Sequence, residues 1–266
     1  MSWQQALVGI VLLPGAVGAP ARAGEPPVAV GQYVIVKRPG AEAVADYRQT
    51  PPQALGRSRI AQQVVKVEGD WLWVHVPRGM GWLHRRDVFT LPEALAYYDE
   101  RVRADPKDAD ARARRGMAHF ASQDMEAAGR DLSEAIRRDP LCADAYCHRA
   151  MLAEDAHDDD RALADYSKAI ELHPGHCDSY LNRAILYYRR GDYDAMIRDL
   201  TVSLPLYKDP AHAYHLRAEA WLAKQDPDKA LADIGEVLRR HPGLPEALAT
   251  RDKAQRMKGP PGPPPR

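Results

Sequence analysis

The sequence has few of the residues on which cross-links, metal centres and catalysis depend. Its 266 residues include three cysteines, at 142, 147 and 177, none in a C-x-x-C pair, so no disulfide framework is expected. The patterns H-E-x-x-H and G-x-S-x-G are absent, as are a Walker loop and a Rossmann glycine set. We therefore predict a protein without enzymatic activity or a cofactor, stabilised by packing alone.

The sequence also has no excess of charge of either sign. The 37 basic and 37 acidic residues cancel, and no long block of Lys or Arg occurs. A nucleic-acid partner requires such a basic footprint, so none is predicted. The longest apolar run near the N-terminus, residues 6–19, is interrupted by Pro14 and Gly15 and is too short to span a bilayer. We expect no integral membrane span.

The same apolar run is typical of the core of a secretory signal. Ala21 and Ala23 follow it and form the small-x-small pattern that a signal peptidase accepts. We predict a signal peptide over residues 1–23 and an exported protein, periplasmic or secreted. No Lys or Arg precedes the run, which leaves an uncleaved leader as the alternative.

The second half of the chain repeats itself every 34 residues. An arginine followed by a small residue recurs at Arg115, Arg149, Arg183 and Arg217. Sixteen residues after each arginine lies an aspartate: Asp131, Asp165, Asp199 and Asp233. Further aspartates recur at Asp124, Asp158, Asp192 and Asp226, and prolines close most periods at Pro106, Pro140, Pro174 and Pro242. A fixed period of this length predicts stacked helix pairs.

Each recurring position has a physical reason. The small residue lets two helices approach closely. The aspartate nine residues after the arginine falls at the start of a second helix, where its carboxylate can cap the helix. The arginine and the aspartate sixteen residues later face each other across two helices, so we interpret these pairs as architectural. Each proline ends its unit.

This pattern resembles the tetratricopeptide repeat. We place units at 107–140, 141–174, 175–208 and 209–242, with a capping helix before them at 91–106, another after them at 243–258, and a Pro-rich disordered tail at 259–266. The third unit is degenerate, because Met196 replaces the usual Ala and Lys208 replaces Pro. Leu204-Pro205 lies at the end of its second helix, and we predict a kink or a shortened last turn there.

Residues 24–90 have a β texture instead. The runs QYVIVK from Gln32, EGDW from Glu68 and GWLHRRDV from Gly81 resemble a bacterial SH3-like domain. The resemblance implies a small β-barrel with a ligand groove near Trp71, and we add Tyr47 as a second groove residue. As the alternative, Trp71 and Trp73 cover the barrel or pack on the following helix. The stretch from Ala41 to Ser58, rich in Ala and Pro, departs from the SH3-like pattern.

The predicted fold class is thus multidomain, with a small all-β SH3-like barrel followed by an all-α superhelical solenoid. In tetratricopeptide repeats the first helices line a concave groove that binds a peptide or protein client. Matching the register gives the following candidate groove residues: Asp110, Met117, Phe120, Asp144, Met151, Glu154, Asp178, Leu181, Ile185, Tyr188, His212, His215 and Glu219. We expect an apolar middle and an acidic edge, suited to a client with hydrophobic anchors and a basic flank.

Three alternatives accompany this hypothesis. In the first, the chain is a cell-envelope adaptor whose SH3-like domain binds a cell-wall component or a peptide. In the second, the tail pattern P-x-x-P-x-R at 261–266 docks on the SH3-like domain of another copy, so self-association stays open. In the third, His173, His176, Cys177 and Cys142 hold zinc. Solvent-exposed loop residues are the simpler interpretation of that last set, and we predict no metal site.

Overall fold

The structure is a computed structural model that describes residues 28–36, 43–44, 54–56, 62–76, 79–207 and 210–258. The predicted leader, the groove candidate Tyr47 and the Pro-rich tail lie outside the described residues. No described helix is both long enough and apolar enough to cross a membrane.

The N-terminal part is an antiparallel β-sheet. Its strands are β1 (Tyr33–Val36), β2 (Ala43–Val44), β3 (Ala54–Gly56), β4 (Gln62–Glu68), β5 (Trp71–Val76), β6 (Gly79–His84) and β7 (Val88–Thr90). They are hydrogen-bonded in the order β3-β2-β6-β5-β4-β1-β7. The predicted tight turn between β4 and β5 is confirmed, with Gly69 at a φ of 57°, a conformation that glycine adopts without strain. Among the described strands the ladder ends at β3 and at β7, so a closed barrel is not shown.

One face of this sheet forms a small apolar core. Alternation along β5 predicts that Leu72 and Val74 point inward, and both are buried. They pack with Val34, Val64 and Leu83. On the other face, the Trp71 ring meets His84 edge-on at 5.0 Å between centroids, and Trp73 lies 4.8 Å from Trp82.

The described residues also contain ten α-helices. They are α1 (Leu91–Ala104), α2 (Ala109–Ala121), α3 (Met125–Arg138), α4 (Ala143–Asp155), α5 (Asp159–Leu172), α6 (Cys177–Arg189), α7 (Tyr193–Ser203), α8 (Ala211–Ala223), α9 (Pro227–Arg240) and α10 (Pro245–Lys258). The first helices of the units, α2, α4, α6 and α8, begin 34 residues apart, as the sequence period predicts. The single helices α1 and α10 flank the four pairs at the predicted capping positions.

The recurring residues act as predicted at the helix ends. Asp124, Asp158, Asp192 and Asp226 are the N-caps of the second helices, and each side chain accepts a hydrogen bond from the backbone N–H three residues later. Residues that precede a closing proline lie outside the helical conformation, and the second helices end there: Asp139, His173 and His241 have φ between −139° and −131° and ψ between 74° and 93°.

The degenerate third unit departs from this pattern where the sequence predicts. Helix α7 has 11 residues, whereas the other second helices have 14. A 3-10 turn over Leu204–Leu206 follows it, with Pro205 inside the turn. Tyr207 then anchors the chain, because its hydroxyl donates to the backbone oxygen of Cys177 at 3.0 Å. Helix α8 consequently begins in register despite the missing proline.

Within each unit the two helices pack closely at the small position. A Cβ atom added to Gly116 would lie 2.8 Å from Cγ of Leu132, its large partner sixteen residues later. Ala150, Ala184 and Ala218 hold the same position in the other units, and all are fully buried. The predicted close approach of paired helices is therefore confirmed.

The sheet is packed against the first helix of the solenoid. Ile35 of β1 is buried in one cluster with Ala94 and Tyr98 of α1. The Arg85 guanidinium, itself buried, donates to Glu93 of α1 at 2.8 Å and to the backbone oxygen of Val88 at 3.1 Å. The sheet thus covers the N-terminal end of the helical stack, where a solenoid needs a cap.

Candidate binding face of the helical repeats

The first helices of successive units lie side by side and share one face. Polar contacts join neighbours directly: Glu154 of α4 accepts from Arg189 of α6 at 2.8 Å, and His215 of α8 lies 2.9 Å from the Thr250 hydroxyl of α10. We call this surface, built by α2, α4, α6, α8 and α10, the first-helix face. All the groove residues that the repeat register predicts belong to its helices.

Behind this face, the repeating Arg–Asp pairs fix each helix pair. The guanidiniums of Arg115, Arg149, Arg183 and Arg217 each donate two hydrogen bonds, of 2.6 to 2.8 Å, to the aspartate sixteen residues later. Both members of each pair belong to the same unit. The four aspartates are buried, so the architectural interpretation of these columns is confirmed.

The apolar middle of the face is only partly accessible. Met117 is 2% exposed and is a core residue, so it is not available to a partner. Other predicted apolar positions are half-buried and form the accessible part: Phe120, Met151, Leu181, Ile185 and Tyr188. Tyr188 also packs against Tyr193, with ring centroids 5.7 Å apart.

The carboxylates of the predicted acidic edge already have cationic or polar partners. Asp110 accepts from Arg114 at 2.8 Å and contacts Arg101 at 3.5 Å. Asp144 lies 3.0 Å from Nε2 of His176. Of these carboxylates, Asp110 has a cationic partner, whereas Asp144 accepts from a histidine and keeps its charge. Asp178, the third member of this column, is half-buried and contacts the Cys177 thiol at 3.8 Å.

His176 is the residue that the sequence interpretation missed. It was expected in an exposed loop, but it is 4% exposed and is the N-cap of α6. Its Nδ1 accepts from the Ser179 backbone N–H at 3.3 Å, which leaves an Nε2–H to donate to Asp144. Asp108 caps α2 at the same register position, two periods earlier. This correspondence is the sequence signal that could have identified His176 as an N-cap. No group of three metal-binding side chains occurs among the described residues.

Two glutamates of the face lie in polar contacts between units. Glu154 accepts from the Tyr166 hydroxyl at 2.5 Å, and burial raises the pKa of this carboxyl above its usual value. Glu219 accepts from Thr250 at 3.3 Å. Burial, with the Glu219 charge nearby, also raises the pKa of Tyr188.

The two histidines of the fourth unit complete the predicted set. His212 is exposed on α8. His215 is half-buried, and burial lowers its pKa, although the nearby Glu219 and Glu246 oppose this effect. In the β-sheet, the groove candidate Trp71 is half-buried.

Family models for the tetratricopeptide repeat match residues 91–141, 127–176 and 166–198. No curated protein matches the chain in sequence. Among solved structures, the C-terminal part of a repeat-containing protein from Cytophaga hutchinsonii aligns with a TM-score of 0.55 and 13% identity, covering 63% of this chain and 66% of that one. A tetratricopeptide repeat protein from Parabacteroides merdae gives 0.53 and 17%, covering 64% and 67%.

A third solved structure, YrrB, is described as a tetratricopeptide repeat protein with an unusual peptide-binding site. It aligns with a TM-score of 0.50 and 20% identity, covering 61% of this chain and 84% of that one. At such identities these matches bear on the fold alone. Together with the repeat matches and the ten helices, they identify the helical part of this chain as a solenoid of tetratricopeptide repeats.

Proposed function

We propose that this protein is a non-catalytic scaffold that binds a peptide or protein client on the first-helix face. The observation that carries the proposal is the row of half-buried apolar side chains along that face, from Phe120 through Met151 and Ile185 to Tyr188. Tetratricopeptide solenoids present this side as their concave surface, and apolar anchors in a groove supply most of the affinity for a peptide.

The existing partners of the acidic edge bear on which chemistry of the client matters for binding. Because Asp110 is already paired with Arg114, a client gains little from a basic flank there, and the Asp144 carboxylate is held by the Nε2–H of His176. We therefore propose that the apolar anchors, rather than charge, dominate recognition. This proposal differs from the sequence-based expectation of a client oriented by carboxylates.

The experiment is an affinity capture with the chain as bait, repeated with a double variant, Met151→Ser and Tyr188→Ser. A matched control is Val202→Ser, which removes a side chain that is 49% exposed on α7, a second helix. We expect the double variant to lose the captured client and the control to keep it. Circular dichroism melting shows that all proteins are folded. A client retained equally by the double variant would refute the first-helix face as its site.

We further propose that the protein is exported, to the periplasm or the medium, and that residues 24–90 form an SH3-like domain. Support comes from the apolar run at 6–19, the Ala21-Arg22-Ala23 pattern and the EGDW and GWLHRRDV motifs. N-terminal sequencing of the exported protein should begin at Gly24. An intact Met1 on exported protein would contradict removal of the leader.

A cell-wall component is the second candidate ligand, bound by the β-sheet rather than by the repeats. The observation that favours it is the aromatic outer face, where Trp71 and Trp73 are both half-buried. Sedimentation with purified wall material separates the candidates. A Trp71→Ala variant should lose wall binding, and Met151→Ser with Tyr188→Ser should keep it.

A further inference from the structure

A second column of ion pairs joins successive units at the turn between their two helices. At three junctions, a carboxylate in the first turn of a second helix contacts a cation thirty residues later, just after the next first helix or at its end. The pairs are Asp160 with Arg190 at 2.7 Å, Asp194 with Lys224, and Asp228 with Lys258 at 2.5 Å. We call these contacts the junction pairs.

The first junction lacks its cation. The register places Glu126 of α3 opposite position 156, and this position is Ala156. The Glu126 side chain is 84% exposed, and its ion-pair partner is Arg130 on its own helix. The carboxylate of a junction pair is therefore present, whereas the lysine or arginine that would cross to it is not.

A cleft of about 350 Å³ lies at this junction. Its lining residues come from the start of α3, the second half of α4 and the start of α5: Met125, Glu126, Arg149, Leu152, Ala153, Asp155, Ala156, Asp158 and Arg161. Arg149 is neutralised by its paired Asp165. The carboxylates of Glu126, Asp155 and Asp158 and the guanidinium of the exposed Arg161 line the cleft over an apolar floor. The Arg130 guanidinium, which is not part of the lining, pairs with Glu126.

We propose that this cleft binds a lysine or arginine side chain of a partner protein, which completes the missing junction pair. The aliphatic stem would lie on Met125 and Leu152, and the charged head would reach Glu126, since long basic side chains bury their stems on apolar surface. The site lies at the helix turns, so it is separate from the first-helix face and does not depend on the proposed client.

Two small probes test the cleft in the full chain by amide chemical-shift titration. N-acetyl-arginine amide carries the cation, and N-acetyl-citrulline amide is its neutral isostere. We expect saturable shifts at residues 125–126 and 155–158 with the arginine probe, and binding about two- to fivefold weaker with citrulline or in Glu126→Gln, as for other exposed ion pairs. Ala156→Lys, which supplies the cation within the chain, should abolish binding.

Asp228→Asn is the matched control, because it removes the carboxylate of a junction pair that is already closed; it should leave the titration at the first junction unchanged. Equal shifts with arginine and citrulline probes would overturn the proposal, as would undiminished binding in Ala156→Lys. Binding that appears only in Arg161→Gln would also overturn it, because the chain's own Arg161 would then occupy the cleft. Melting curves verify that each variant is folded.

Discussion

The guanidinium of Arg183 in α6 is held against the carboxylate of Asp199 in α7 by two hydrogen bonds of 2.7 Å. Its third nitrogen donates to the Ser167 hydroxyl of α5 at 2.8 Å, in the preceding unit. Arg115 and Arg217 make the equivalent third contact, to Asp99 and Thr201, so these three repeat arginines each join the two helices of their unit to the second helix before it. This contact makes the arginine column a determinant of stacking as well as of helix pairing.

The first prediction follows from the burial of Asp199, which is 7% exposed. Arg183→Met leaves this charge without its partner, and we expect the free energy of unfolding to fall by about 3 kcal/mol. Arg251→Met is the control, since among the described residues no helix follows α10, and Arg251 contacts the neighbouring Asp252. Urea unfolding followed by circular dichroism measures both. Similar losses in the two variants would contradict the assigned role.

The 34-residue period predicts most of the helical architecture, because it reports contacts between residues close in sequence. The caps at Asp124 and Asp226 and the shortened α7 followed from single residues whose local preference is strong. The burial of His176 did not follow, since it depends on Asp144 of the preceding unit, which meets it only after stacking. The pairing of Asp110 with Arg114 lies within one helix, and only its contact with Arg101 depends on packing between helices. Barrel closure in the sheet is likewise a non-local property, which strand-like runs do not determine.

A second prediction concerns Ser133, which occupies in α3 the register position of Ser167. The third nitrogen of Arg115 donates to Asp99, at the same position in α1, at 2.7 Å. Among the described contacts, Arg149 has no hydrogen bond to Ser133. Ser133→Asp should supply this partner and raise the free energy of unfolding by about 0.5 kcal/mol, as a solvent-exposed pair does. Ser133→Asn tests the charge, and an equal gain from Asn would contradict an ion pair.

A third prediction contrasts two aspartates at the same register position on the first-helix face. Asp144→Ala leaves the Nε2–H of the buried His176 without its acceptor, so we expect a loss of about 1 to 3 kcal/mol in unfolding free energy. Asp110 pairs with Arg114 on the surface, where its side chain is 52% exposed, and Asp110→Ala should cost less than about 1 kcal/mol. Denaturant midpoints of both variants decide the matter. The reverse order would show that the His176 contact does not stabilise the stack.

The last prediction is a pH dependence of stability that originates at His215. Burial lowers the pKa of His215 below its ordinary value of 6.5, so between these two values the folded protein binds fewer protons than the unfolded chain. Stability from this group is therefore complete above 6.5 and is lost as the pH falls from 6.5 through the folded pKa. His215→Gln cannot take up the proton. Relative to the wild type, the variant should accordingly be more stable at about pH 5 than at about pH 7.5, two values on either side of the ordinary histidine pKa. Urea midpoints of both proteins at the two pH values measure this difference. A difference between variant and wild type that stays constant across this range would mean that His215 titrates alike in both states, and that its contact with Thr250 at 2.9 Å does not depend on a neutral ring.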